Sequence, residues 1–157
     1  IAHWLAGIKR KGEFERQPGH LIDIMATCVD LAGVKYPAKF IGQTIQPMEG
    51  RSLVPAFSGG SIQRSEPLLW EHEGNRALRQ GKWKLVARGA NGPWELYDLE
   101  NDRTELHNLA AEHHGKAVEL ATLWEKQARR TRMIPWPWKP PFTQSNGITT
   151  AEEPAGK

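Results

Sequence analysis

Apolar and polar residues alternate with a period of two between Leu68 and Leu99, broken at glycine-bearing turns, and recur at helical spacing on either side of that stretch. The two periods separate strand from helix, because successive strand side chains point to opposite faces while residues three and four apart share one side of a helix. Leu68 to Glu71 is a short apolar run that meets Gly74, a residue free to take positive φ, so a strand is predicted to end at Glu71 and turn. Arg76 to Arg79 leads through Gln80-Gly81 into Trp83 to Ala87, where Trp83, Leu85 and Ala87 alternate with Lys84 and Val86 as a half-buried strand should. A looser turn through Gly89, Asn91, Gly92 and Pro93 feeds Trp94 to Leu99, with Trp94 and Leu96 on one side and Glu95 and Tyr97 on the other. Together these runs predict a small antiparallel sheet of three or four strands.

Two helices are predicted around it. Pro18-Gly19 introduces one over residues 21–32, where Leu21, Ile24, Met25, Cys28 and Leu31 form an apolar face and Gly33 supplies a stop. Ile22, Ala26 and Val29 extend that face, so only Asp23, Thr27 and Asp30 stay polar, the pattern of a helix packed on a larger body. Residues 35–67 hold four prolines and read as an irregular surface connector. The second helix, residues 116–130, stacks Ala117, Leu120, Ala121, Trp124 and Ala128 on one face and is expected to lie across the sheet. Beyond Met133, the run Pro135-Trp136-Pro137-Trp138-Lys139-Pro140-Pro141 excludes helix, because each proline removes a donor and biases its neighbour to extended backbone. It reads either as packing onto a larger body or as a ligand for a proline-recognising domain. The expected divisions are residues 1–66, residues 67–142, and a disordered tail at 143–157.

Composition narrows the function classes. At 157 residues and 39% hydrophobic, the chain can bury one modest core with little reserve if a packing partner is lacking. Its net charge of +3 is spread evenly along the length, so no segment makes a nucleic-acid footprint, and nucleic acid is not expected as a partner. No apolar run is long enough to cross a bilayer, and no membrane partner is expected. A single cysteine, Cys28, excludes an internal disulfide framework. His20 precedes a helix and stands near its cap. His107, His113 and His114 lack partners at ligand spacing, so no zinc site is expected. Asp98, Glu100, Asp102 and Thr104 echo a calcium loop, but Arg103 stands where glycine is needed and Leu109 where the bidentate acid belongs, so a solvated turn is expected. Lys82 and Lys84 flank Trp83, either to hold phosphate or sulfate or as solvated strand residues.

The run Gly81-Lys82-Trp83-Lys84-Leu85-Val86, with Glu95-Leu96-Tyr97-Asp98-Leu99-Glu100-Asn101-Asp102 and Glu105-Leu106-His107-Asn108-Leu109-Ala110, resembles the carboxyl-terminal subdomain of the arylsulfatases. The run from His20 to Val34, then Tyr36-Pro37 and Gly50-Arg51-Ser52-Leu53-Val54-Pro55, is similar to the segment that ends the sulfatase catalytic domain. The resemblance spans about residues 1–140, and several spaced motifs in one order are far more specific than any single one. It implies an α/β piece, the end of an alkaline-phosphatase-like catalytic domain, followed by an α+β C-terminal subdomain of three or four antiparallel strands with a packed helix. Residues 1–7 then match the strand that follows the last catalytic lysine.

The catalytic motif itself is absent. Sulfatases make formylglycine from Cys or Ser in Cys/Ser-X-Pro/Ala-X-Arg, whereas Cys28 is followed by Val29-Asp30-Leu31-Ala32. The resemblance implies that calcium, formylglycine and the sulfate-holding Lys and His belong to upstream polypeptide, that this chain binds none of them, and that alone it hydrolyses nothing. The missing N-terminal catalytic part is the expected partner, and a sulfated small molecule or carbohydrate the expected substrate. A periplasmic or secreted location follows from the same resemblance. A phosphodiester or phosphonate hydrolase, and a noncatalytic carbohydrate-binding or interaction module, are the alternatives.

One polar cluster stands out. His72 sits between Glu71 and Glu73 at a strand end that in sulfatase-like architecture approaches the pocket mouth, so His72, Asn75 and Arg76 are the candidate substrate-binding residues. The competing reading is that these groups satisfy the Gly74 turn.

Overall fold

The computed structural model describes residues 1–134, so the Pro/Trp run and the 143–157 tail lie outside the described residues. The chain divides into two compact units after Ser65.

The first unit, Ile1–Ser65, is organised around helix α1, Asp23–Leu31. An acid in the first turn suits the partial positive charge at a helix amino end, and here it also ties in distant chain. Buried Asp23 accepts the N–H of His20 at 2.7 Å and of Arg51 at 2.8 Å, and pairs with the Arg64 guanidinium. Gly50 permits that approach, since a Cβ there would lie 2.1 Å from the Ile22 carbonyl oxygen. Thr27 donates to the Asp23 carbonyl and accepts the Leu53 N–H, and Asp30 accepts the Ser52 hydroxyl. The helix closes as Val34 N–H reaches the Val29 carbonyl and Gly33 N–H that of Asp30, with Gly33 at φ 64°, a Schellman ending.

The polar stripe Asp23, Thr27 and Asp30 therefore anchors the connector, while Leu21, Ile24, Met25 and Leu31 lie exposed. The connector is less irregular than its prolines suggest. It contains a small hairpin, β1 (Lys39–Phe40) with β2 (Gln43–Thr44), and a 3₁₀ turn at Val54–Ser58. The hairpin turns on Ile41 and Gly42, both at positive φ, as two-residue primed turns require. Residues 1–7 form no strand. Gly7 and Ile8 instead donate to the Trp4 carbonyl in a turn, because a strand needs a neighbour and none is there among the described residues.

The second unit starts at Glu66 and is an α+β body. Four antiparallel strands, β3 (Leu68–His72), β4 (Asn75–Gln80), β5 (Trp83–Ala87) and β6 (Glu95–Asp98), lie in sequence order, and helix α2 (His114–Arg130) covers one face. Strand β3 runs one residue past the expected end, because Glu73 and Gly74, at φ 53° and 84°, make the two-residue turn and pair His72 with Asn75. Leu69, Leu78, Leu85 and Leu96 fall in line across the four strands. The last three are fully buried against Ala117, Leu120, Trp124 and Ala128 of α2. Helix α2 begins two residues earlier than the apolar spacing predicts. Between β6 and α2, Asp102 accepts the N–H groups of Leu106 and His107, and Asn108 accepts those of Leu96 and Ala110.

Candidate functional site

The β3–β4 turn and the β5–β6 loop meet at one end of the sheet, where the three candidate residues lie. Glu71 accepts the Gly74 N–H at 2.9 Å, which holds the turn from beneath. Asn75 donates from Nδ2 to the His72 carbonyl at 3.0 Å, and its Oδ1 accepts the Gly89 N–H at 3.0 Å. Both ends of the Asn75 amide thus go to backbone, and together they tie the turn to the loop. His72 is different. Its imidazole is 85% exposed, with Nε2 4.0 Å from the Glu73 carboxylate, and so is available to a ligand.

Arg76 leaves that group altogether. Strand alternation puts His72 and Asn75 on one face and Arg76, with Glu71 and Leu78, on the other, toward α2. The Arg76 guanidinium lies 4.3 Å from the Trp94 ring centroid and 5.6 Å from that of Trp124, and Nη2 donates to the Gly92 carbonyl at 2.9 Å. Gly92 is needed there, since a Cβ would lie 1.9 Å from the Arg88 carbonyl oxygen. Burial lowers the Arg76 pKa, and among the described residues no carboxylate pairs with it. Beside it opens a cleft of about 450 Å³, walled by the β5–β6 loop and by α2 from Val118 to Glu125. The sequence held one signal for this placement: Arg76 has the same parity as Leu78, so it belongs to the helix-covered face.

The remaining candidates are engaged in the fold. Lys82 pairs with Asp98 at 2.8 Å and lies over the Trp83 ring, and Lys84 pairs with Glu105. Asp98 also accepts from Asn101 and the Glu100 N–H. Lys82 foremost, with these donors and against some burial, holds its carboxyl below the usual range. Asp98 and Asp102 of the calcium-like run thus serve turn backbone and a lysine. The Tyr97 hydroxyl donates to Glu95 at 2.6 Å, and that bond foremost pushes its pKa up to about 12. His113 packs on Trp83, and His107 stands 3.6 Å from Asp102. Among the described residues no three His, Cys, Asp or Glu side chains gather as metal ligands, and no helix is long and apolar enough to cross a membrane.

The chain is similar to known proteins in sequence and in fold. The family model "N-sulphoglucosamine sulphohydrolase, C-terminal" matches residues 1–132. A choline-sulfatase of Rhizobium meliloti (strain 1021) is 37% identical over 113 residues, covering 68% of this chain and 20% of its own. An arylsulfatase K of Danio rerio is 36% identical over 118 residues, covering 68% of this chain and 21% of its own. The solved structure of a 2-O GAG sulfatase superposes with a TM-score of 0.51 at 28% identity, over 70% of this chain and 24% of that one. The chain thus spans about a fifth of the length of the curated relatives it matches.

Proposed function

Since the chain belongs to the N-sulphoglucosamine sulphohydrolase C-terminal family, we propose that it props and borders the reaction centre of a sulfuric ester hydrolase whose nucleophile and metal lie in upstream polypeptide. One observation carries this reading: a sulfatase family match over residues 1–132 in a chain without the sulfatase nucleophile motif. Calcium and formylglycine, which the resemblance implies for the parent enzyme, do not fit the residues here. Asp98 and Asp102 of the calcium-like run are engaged with backbone and Lys82, and Cys28 sits on α1 followed by Val29-Asp30-Leu31-Ala32. No chemical step is therefore assigned to this chain.

Its roles are binding and support. The exposed apolar face of α1, with Ile24, Met25 and Leu31, and Leu21 in the turn before it, is the surface on which the upstream catalytic part docks, since grouped exposed apolar side chains favour a partner over water. His72 lines the rim of the substrate pocket, where an imidazole donates to an anionic or hydroxyl group. Asn75 fixes its backbone. The substrate is a sulfated small molecule or carbohydrate, in keeping with relatives named choline-sulfatase and 2-O GAG sulfatase. A periplasmic or secreted location belongs to the same reading, on family membership alone.

The test is His72→Ala in the enzyme that carries this chain together with its catalytic part. KM is expected to rise roughly tenfold, the worth of one hydrogen bond to a charged group, with kcat little changed. Unchanged kinetics would remove His72 from the rim.

A further inference from the structure

We propose that the cleft beside Arg76 is a binding site for an anionic sugar, whose sulfate or carboxylate group sits on the Arg76 guanidinium while its ring lies against Trp94. The inference stands on the cleft's own geometry. Its volume, about 450 Å³, falls within the range of small-molecule sites.

Charge is the first argument. Glu125, the acid on the cleft wall, is ion-paired with Arg129, and Glu71, across from Arg76 in the ladder, accepts from the Gly74 backbone. That leaves a cation in the wall without a neutralising partner among the described residues. Its hydrogen bonds make the second argument. A guanidinium carries five N–H donors in a planar fork, and here Nη2 serves the Gly92 carbonyl while the buried Nε has no partner. An orphaned buried donor calls for an explanation, and a bound ion or water is one. The fork matches the paired oxygens of a sulfate or carboxylate.

The walls supply the rest. Trp94 is half-buried, and Ala121 and Val118 add apolar surface, while Asn91 and Thr122 stand exposed at the rim with amide and hydroxyl groups suited to sugar hydroxyls. An apolar occupant would shut the guanidinium away from water with two indoles and one carbonyl beside it but no anion, which is unfavourable. An anion carried on a ring with an apolar face satisfies both the fork and the indole.

Titration calorimetry of the 157-residue chain with a sulfated heparin disaccharide, a carboxylated but unsulfated disaccharide, and neutral lactose tests this. The sulfated and carboxylated arms distinguish the two anion sources, and saturable one-to-one binding of either is expected, at least tenfold tighter than lactose. Arg76→Gln is expected to weaken that binding about tenfold or more, with Arg76→Lys intermediate, since charge without the fork restores only part of the contact. If Arg76→Gln fails to fold, Thr122→Trp fills the cleft from an exposed helix position and is expected to abolish binding. Equal affinity for anionic and neutral sugars, no binding at all, or wild-type affinity in Thr122→Trp would each overturn the proposal.

Discussion

In the first unit the best-buried side chains are Asp23, Ala26, Thr27 and Ala56, while Leu21, Ile24, Met25 and Leu31 of the same helix region face solvent. In the second, Leu78, Leu85, Leu96, Leu120 and Trp124 close on one another between sheet and helix. The difference is one of mechanism. Full burial of a leucine contributes about 1.5–3 kcal/mol, so the second unit has an apolar core able to hold it together. The first unit relies on hydrogen bonds and one buried ion pair, whose net contribution is small because each replaces contacts with water. Such a network specifies an arrangement more than it stabilises one. The network of the first unit thus holds α1 in a fixed pose and leaves its apolar side chains exposed.

The largest effect should come from the closed core. Leu85→Ala leaves a cavity between the sheet and α2 and should cost about 4 kcal/mol, read as a lower denaturant midpoint of the second unit. A loss under about 1 kcal/mol would mean that sheet and helix are not joined as described. Next comes the polar node. Asp23→Asn leaves Arg64 without its partner and should destabilise the first unit by about 3 kcal/mol, with the second unit's transition unmoved. If both units melt together, the contrast fails.

The same node gives a pH dependence. Burial opposes ionisation of Asp23, but the Arg64 guanidinium and the Arg51 and His20 N–H groups outweigh it and hold the carboxyl below its ordinary range. A carboxyl with a depressed folded-state pKa contributes stability that is complete above its unfolded value, about 3.9, and is lost as pH falls through the folded value. Acid titration of the first unit should show that loss below about pH 4, and Asp23→Asn should remove it.

The smallest effect belongs to the exposed face. Met25→Asp should leave the chain's own stability within about 0.5 kcal/mol, as surface substitutions do, yet weaken association with the upstream polypeptide more than tenfold. Strong destabilisation of the chain alone would show that the face already has a partner.

The sheet and α2 were legible because their determinants are local: alternation from Leu68 to Leu99, glycine at the turns, and helical spacing from Ala117 to Ala128. The polar node was not. Asp23 meets partners 28 and 41 residues away, at Arg51 and Arg64, and no period in the sequence encodes contacts of that span. The β1–β2 hairpin was hidden by brevity, since two-residue strands carry no periodicity. Among the site residues, the cluster at the strand end was visible, but its roles depend on which face each residue takes. A one-residue change of position sends Asn75 to the Gly89 backbone and Arg76 to Trp94. The cleft required the β5–β6 loop and α2 to come together across chain from Ala90 to Glu125, a contact that sequence spacing does not announce.

The most direct test of an interface on α1 is amide hydrogen exchange followed by mass spectrometry, on the chain alone and joined to its upstream catalytic part. Peptides covering Asp23–Leu31 should exchange much faster than those of β4, β5 and α2 in the chain alone, and slow at least tenfold when the upstream part is present. Equal protection of Asp23–Leu31 in both forms would contradict the assignment of its apolar face as a docking surface.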